Sequence, residues 1–168
     1  MEQVEIIKFL KENITPLTNN YYGTRYRASV YLKNGTFLPY VLFSAEKKNI
    51  AYDKNLDYKD IERIEKCKNA FSLEILKQIH GETLMSWTGF VLKMKDGKCF
   101  NFGTTFDFLF FDFPVGYSSS DIVEVINHSY IDKNNEIQEY RKHSIRELDD
   151  IKIYHQIKDY YVCHLDKL

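Results

Sequence analysis

The chain has 168 residues, 44% of them hydrophobic and 15% aromatic, with a formal net charge of −1. That length suits one domain, residues 1–168, and the apolar fraction supplies a core, which excludes a disordered chain. The near-neutral balance gives no global field toward nucleic acid, so none is expected as a partner, and no apolar run nears the ~20 residues of a spanning helix. The acidic start Met1-Glu2-Gln3-Val4-Glu5 is unlike a signal peptide. Cys67, Cys99 and Cys163 are widely spaced and odd in number, which argues against disulfides or a zinc site and for reduced thiols in the cytoplasm. Lysine dominates the basic residues, and Ile, Asn, Tyr and Phe are plentiful. That is the codon bias of an AT-rich genome, such as a low-GC bacterium or its phage.

Residues 2–14 read as an amphipathic helix with Val4, Ile7, Leu10 and Ile14 on one face, ended by Thr15-Pro16. A hairpin follows: Arg25–Leu32 alternates, Lys33-Asn34-Gly35 turns, and Thr36–Ala45 returns. Pro39 makes the return strand an edge or a bulged one. Asn49–Tyr52 reads as a short strand. Asp60–Ala70 reads as a helix or as a turn into a strand. Ser72–His80 reads as a helix with Ser72 as N-cap and Gly81 at the left-handed position after it.

The most patterned stretch is the second hairpin, Trp87–Phe113. Its second half holds seven of the twelve phenylalanines, with Phe100, Phe102, Phe106, Phe108 and Phe110 at even positions. A period of two marks a strand with one buried face. A three-residue Lys95-Asp96-Gly97 loop sets Leu92 opposite Phe100, Phe90 opposite Phe102 and Thr88 opposite Thr104, which matches apolar residues across the strands. The parity slips at Phe110-Phe111, and Asp112 then falls on the phenylalanine face.

Beyond it, Asp121–Asn127 reads as a short helix capped by Ser118–Ser120, and Ser129–Ile131 with Ile137–Tyr140 as a small hairpin. The tail reads as helix from the capping box Ser144-Ile145-Arg146-Glu147, with apolar residues every three or four positions to Leu168. The competing strand reading of Ile151, Ile153, His155 and Ile157 covers less of it. Val30–Gly35 and Val91–Gly97 echo one another, an echo attributed to shared hairpin physics and not to duplication. The expected fold is α+β: a mainly antiparallel sheet of two hairpins, covered by N-terminal, central and C-terminal helices. The two hairpins, the step Tyr58-x-Asp60-Ile61-x-x-Ile64-Glu65 and the Lys95–Lys98 turn, then a helix, also resemble small PH-like barrels. That resemblance implies a ligand or lipid-headgroup binder using Arg25, Arg27 and Lys33.

No nucleophile elbow, phosphate loop or metal-ligand spacing is present, so no cofactor and no metal are expected. The candidates for acid–base chemistry, in a small hydrolase, are His80 at a helix end, His128, and Asp112, whose burial would raise its pKa. Thirteen tyrosines and one tryptophan exceed what a core readily uses. Tyrosine and arginine are enriched at interface hot spots, which makes Arg25, Arg27, Tyr31 and Tyr117 the candidate binding residues. The leading expectation is therefore a non-enzymatic protein-binding module, of the immunity-protein or phage-inhibitor type, with another protein as partner or self-association as the alternative.

Overall fold

The computed structural model describes residues 1–46, 54–81, 83–84, 86–105, 107–141 and 148–168. The expected strand at Asn49–Tyr52 and the capping box at Ser144–Glu147 lie outside these residues. The chain separates into two compact units, the first formed by Met1–Ala70 with Lys158–Leu168 and the second by Phe71–Ile157.

In the first unit, helix α1 (Gln3–Asn13) is capped reciprocally by Glu2 and Glu5 and buries Ile6 and Leu10. The strands are β1 (Leu17–Asn19), β2 (Gly23–Leu32), β3 (Phe37–Ser44), β4 (Asn55–Leu56) and β5 (Ile61–Lys66). A 3-10 turn, Tyr58–Asp60, leads into β5, with the Asp57 carboxylate accepting from Lys59 N–H at its start. The last strand of the chain, β12 (Tyr161–His164), lies parallel between β3 and β4. Pro39 sits where the register skips two β3 residues against β2, so the missing donor is accommodated by a bulge. The core is mainly aliphatic, with Ile6, Leu10, Ala28, Val30, Leu38, Val41, Ile61 and Ile64 packed beside the rings of Tyr26 and Phe43.

The second unit begins with helix α2 (Leu73–Gln78), whose N-cap Ser72 accepts from Ile75 N–H. The hairpin of β6 (Thr88–Met94) and β7 (Cys99–Thr104) has the register that the aromatic pattern predicts, with Phe90 opposite Phe102 and Leu92 opposite Phe100. Gly97 takes the left-handed conformation at φ 88°. A 3-10 turn, Ser119–Asp121, precedes β8 (Ile122–Asn127), which pairs antiparallel with β6. The hairpin of β9 (Ser129–Ile131) and β10 (Ile137–Glu139) stands as its own small sheet. Strand β11 (Ile153–His155) runs parallel to β7.

The expectation of three helices over an antiparallel sheet is overturned. Among the described residues the only α-helices are α1 and α2, and both larger sheets contain parallel pairs. Residues 122–127 are a strand, because the register shift between Lys93 and Met94 leaves Val123 unpaired. A bulge changes the inward spacing from two to three, so Ile122-x-x-Val125 imitates a helix. The tail likewise places two short strands in two different sheets, and their summed apolar positions imitate a helical period. Among the described residues, no α-helix follows the second hairpin as the PH-like resemblance implies. The aromatic strand also ends at Thr104, earlier than its parity implied. Gly81 does not adopt a positive φ.

The echo between the hairpins proves to be a repeat of the whole frame, which corrects its reading as hairpin physics alone. In the first unit Val30, Tyr31 and Leu32 face Ile64, Arg63 and Ile61. In the second, Leu92, Lys93 and Met94 face Val125, Glu124 and Ile122, with the skip at the same place. Around the turns, Leu32 N–H donates to Thr36 O at 2.8 Å, Gly35 N–H to Leu32 O at 2.9 Å and Lys33 N–H to Asp60 O at 2.9 Å. The counterparts Met94 to Lys98, Gly97 to Met94 and Lys95 to Asp121 measure 2.8, 2.9 and 2.8 Å. A parallel tail strand then lies beside the second hairpin strand of each unit, with Tyr161 opposite Val41 and Tyr154 opposite Phe102.

Candidate functional site

The three candidates for acid–base chemistry do not form one centre. His80 and His128 do meet: His128 Nε2–H donates to His80 O at 3.2 Å, and Asn127 Oδ1 accepts from His80 N–H at 2.9 Å. These contacts use backbone atoms and leave the His80 imidazole outside the network. His128 itself adopts a left-handed φ of 51°, which serves the turn between β8 and β9. Asp112 is exposed rather than held on the phenylalanine face, and its carboxylate accepts from the adjacent Phe113 N–H. It makes no hydrogen bond or ion pair with either histidine. The strand ends earlier than its parity suggested, and the carboxylate leaves the core with the chain.

The binding candidates fare differently from one another. Arg27 is only 6% exposed, on the face of β2 opposite the aliphatic core, and burial lowers its pKa to about 10. At neutral pH it is a buried cation and not an open contact residue. Tyr117 is committed within its own unit: its ring packs on Phe100 at 5.0 Å and its hydroxyl donates to the Asp96 carboxylate at 2.5 Å. That bond holds Asp96 below the usual carboxylate range and pushes the Tyr117 phenol up. Arg25 lies over the Tyr22 ring at 4.5 Å.

Tyr31 is the candidate with an outward setting. On β5 the Arg63 guanidinium covers its ring at 4.2 Å, and on β3 Phe37 packs against it at 4.7 Å. Arg63 is steadied by Glu65 at 3.1 Å, and Phe37 is 45% exposed. Arginine, tyrosine and phenylalanine thus form one row across three adjacent strands. Sequence reasoning missed Phe37 and Arg63. The first was within reach, since the Lys33-Asn34-Gly35 loop sets Tyr31 opposite Phe37 by the argument that paired Leu92 with Phe100. Arg63 required knowing that 61–66 is a strand on the other edge of β2.

The equivalent row of the second unit holds Glu124, Lys93 and Cys99, an ordinary outward charge pair and a thiol. Two rows further along the same face, Gly89 and Gly103 stand opposite each other. A side chain at Gly103 would stand 2.0 Å from the Trp87 ring, and one at Gly89 would stand 2.6 Å from Tyr140. The two rings lie on this glycine floor, with Trp87 Nε1–H donating to the Tyr140 hydroxyl at 3.4 Å.

A pocket of about 130 Å³ is lined by Asp132, Lys133, Asn134, Asp150 and Ile151. It falls below the ~300 Å³ of small-molecule clefts. The Asp132 carboxylate there is already engaged by Asn134 N–H, Glu136 N–H and Gln138, which lower its pKa, the Glu136 bond most. Among the described residues no three or more His, Cys, Asp or Glu side chains converge as metal ligands, and no helix is long and apolar enough to cross a membrane. Comparison with family models, curated proteins and solved structures gave no match.

Proposed function

We propose that this protein is a non-enzymatic binding module of the cytoplasm that acts by direct contact with another protein, in the manner of an immunity protein or phage inhibitor. The supporting observation is the row Arg63–Tyr31–Phe37. Its residue types are those that anchor interfaces, and a guanidinium over a ring adds ~0.5–1 kcal/mol at an exposed site. A row with no such role is expected to look like its counterpart, where a lysine and a glutamate face solvent.

The test is recovery of a partner from the native host. Tagged wild-type protein retains a stoichiometric partner, and the double variant Tyr31→Ser, Phe37→Ser loses it. The variant keeps its circular dichroism and loses about 1–2 kcal/mol of stability, the sum expected for one guanidinium–ring contact and one cross-strand aromatic pair. Recovery of the wild type as a clean monomer, or retention of the partner by the variant, rejects the reading. A recovered complex containing only a second copy of this chain assigns the row to self-association instead.

A further inference from the structure

The turns that close the two hairpins share their bonds and differ in one functional group. In the first, Asn34 Oδ1 accepts from Thr36 N–H at 3.0 Å; in the second, Asp96 Oδ1 accepts from Lys98 N–H at 3.0 Å. Each of these side chains is followed by a left-handed glycine, Gly35 or Gly97, and both turns are exposed. A carboxamide carbon is open to attack by a nucleophile, whereas an ionised carboxylate is not. Asp96 is held ionised by the Tyr117 hydroxyl, which keeps it below the usual carboxylate range. Asn34 has no such protection.

The nucleophile is the backbone nitrogen of the next residue. Asn34-Gly35 is the only Asn-Gly pair in the sequence, so at every other asparagine a following side chain crowds that nitrogen. Around Gly35 there is open space, with nothing within 4 Å of where a Cβ would stand. The Thr36 bond folds the Asn34 carboxamide back over the Gly35 peptide as an Asx-turn. The same N–H points at the oxygen on which negative charge develops when Cγ is attacked, and so stabilises it. Asn34 Nδ2 donates to no described residue, which leaves the departing nitrogen to solvent. One bond opposes the reaction: Gly35 N–H donates to Leu32 O at 2.9 Å. It lies in an exposed turn, where local opening takes little free energy.

We propose that Asn34 is a site of spontaneous deamidation in the folded chain, converted through a cyclic imide with Gly35 into aspartate and isoaspartate. Hydroxide takes the Gly35 N–H proton, and the nitrogen attacks Asn34 Cγ. The Cγ–Nδ2 bond then breaks, and Nδ2 leaves as ammonia with a proton from water, which returns the hydroxide. Water next adds to one of the two imide carbonyls. Opening the bond to Cγ gives aspartate; opening the bond to the Asn34 backbone carbonyl gives isoaspartate, with the chain running through Cβ and Cγ. Water has replaced ammonia, and nothing is oxidised or reduced. Aspartate is the group that the second unit already holds at this corner, so that product keeps the Thr36 bond. Isoaspartate adds a backbone carbon to the loop that sets Tyr31 opposite Phe37. For a protein that binds through those two rings, a consequence that rests on the function proposed above, one product adds a negative charge beside the row and the other displaces it.

The experiment incubates the full chain, folded, in mildly alkaline buffer, beside a sample unfolded in urea, and digests both at acid pH for mass spectrometry. In the folded chain the peptide carrying Asn34 is expected to gain the mass of a carboxylate in place of a carboxamide, about tenfold faster than at any other asparagine. Cleavage by an aspartate-specific protease then separates the Asp product, which is cut, from the isoAsp product, which is not. Asn34→Gln removes the mass change, and Asn34→Asp keeps the amide spectrum and the urea midpoint of the wild type. Absence of conversion in the folded chain, whatever the urea sample does, overturns the proposal, as does equal conversion at another asparagine. Loss of stability in Asn34→Asp overturns the claim that the corner accepts the Asp product. The mass readout needs no partner, so failure here leaves the role of the row untouched, and failure to recover a partner leaves this chemistry untouched.

Discussion

The two units share a frame and fill it differently. In the first, the inward positions of β2 and β3 carry Ala28, Val30, Leu38 and Val41 beside the paired rings of Tyr26 and Phe43, and an eleven-residue helix brings Ile6 and Leu10 into the same core. In the second, the corresponding positions of β6 and β7 carry Phe90, Leu92, Phe100 and Phe102, and the helix has only six residues. Small strand residues leave room that a long helix fills, whereas large rings fill the space themselves. Phe71 shows the second solution clearly: it stacks on Phe111 at 4.4 Å and meets Phe90 and Phe102 at 6.1 and 6.0 Å. Hydrogen-bonded corners and bulges define the repeat, and packing around them is free to vary provided that volume is conserved.

The sharpest way to break this comparison is to truncate the same inward position in both units. Phe102→Ala is expected to cost about 3–5 kcal/mol by removing a fully buried ring from the aromatic cluster. Its equivalent Val41→Ala removes two methyl groups and is expected to cost about 1.6 kcal/mol. Urea unfolding of both variants checks the pair, and equal losses would show that the two cores are not filled by different means. The next largest effect is expected on the outward face. Gly103→Ala brings a methyl group against the Trp87 ring, and displacing that ring is expected to cost about 1–3 kcal/mol. Its counterpart is Leu42, where the same frame already accommodates a side chain, so the glycine requirement belongs to Trp87 and not to the fold.

The shared corners make the opposite prediction, that the two units respond alike. Gly35 and Gly97 have φ of 86° and 88° with open space where a Cβ would stand. Alanine at either is therefore strained by backbone conformation alone, by about 1–2 kcal/mol. Gly35→Ala and Gly97→Ala are expected to agree within about 0.5 kcal/mol by thermal or urea unfolding. A larger gap would mean that one corner bears load that its hydrogen bonds do not reveal.

These contrasts also explain what the sequence made legible. Local signals were readable: the first helix with its proline stop, both hairpins, the Ser72 cap and the register of the aromatic pair all follow from neighbouring residues. What failed was any feature that depends on a distant partner. Ile122-x-x-Val125 looks helical because β6 imposes a bulge from thirty residues away, and the tail looks helical because its two strands belong to different sheets. The repeat was visible only at its turns, since Asp60 and Asp121 reveal their common role through bonds to Lys33 and Lys95. The candidate binding row divides in the same way. Tyr31 and Phe37 are neighbours across a tight turn, whereas Arg63 arrives from a third strand.

The smallest effect separates the cysteines of the two units. Cys163, on β12 of the first unit, is fully buried, and burial pushes its thiol up to about 12 from 9.0. Cys99, half-buried on β7 of the second, is raised as well, chiefly by its more modest burial. A thiol that stays protonated in the fold but ionises in the unfolded chain has no pH-dependent effect below pH 9. Above pH 9 the unfolded state loses its proton first, so stability falls with rising pH until the folded thiol ionises near pH 12. At pH 9.5 the loss assigned to Cys163 is about 0.8 kcal/mol relative to neutral pH. It is read as the difference between wild type and Cys163→Ala, since the tyrosines titrate over the same range in both. If the two proteins lose stability in parallel between pH 7 and 9.5, the tail strand does not seal its sheet as tightly as its packing indicates. A smaller difference for Cys99→Ala than for Cys163→Ala is expected from the same measurement, because a half-buried thiol in the second unit ionises with less hindrance.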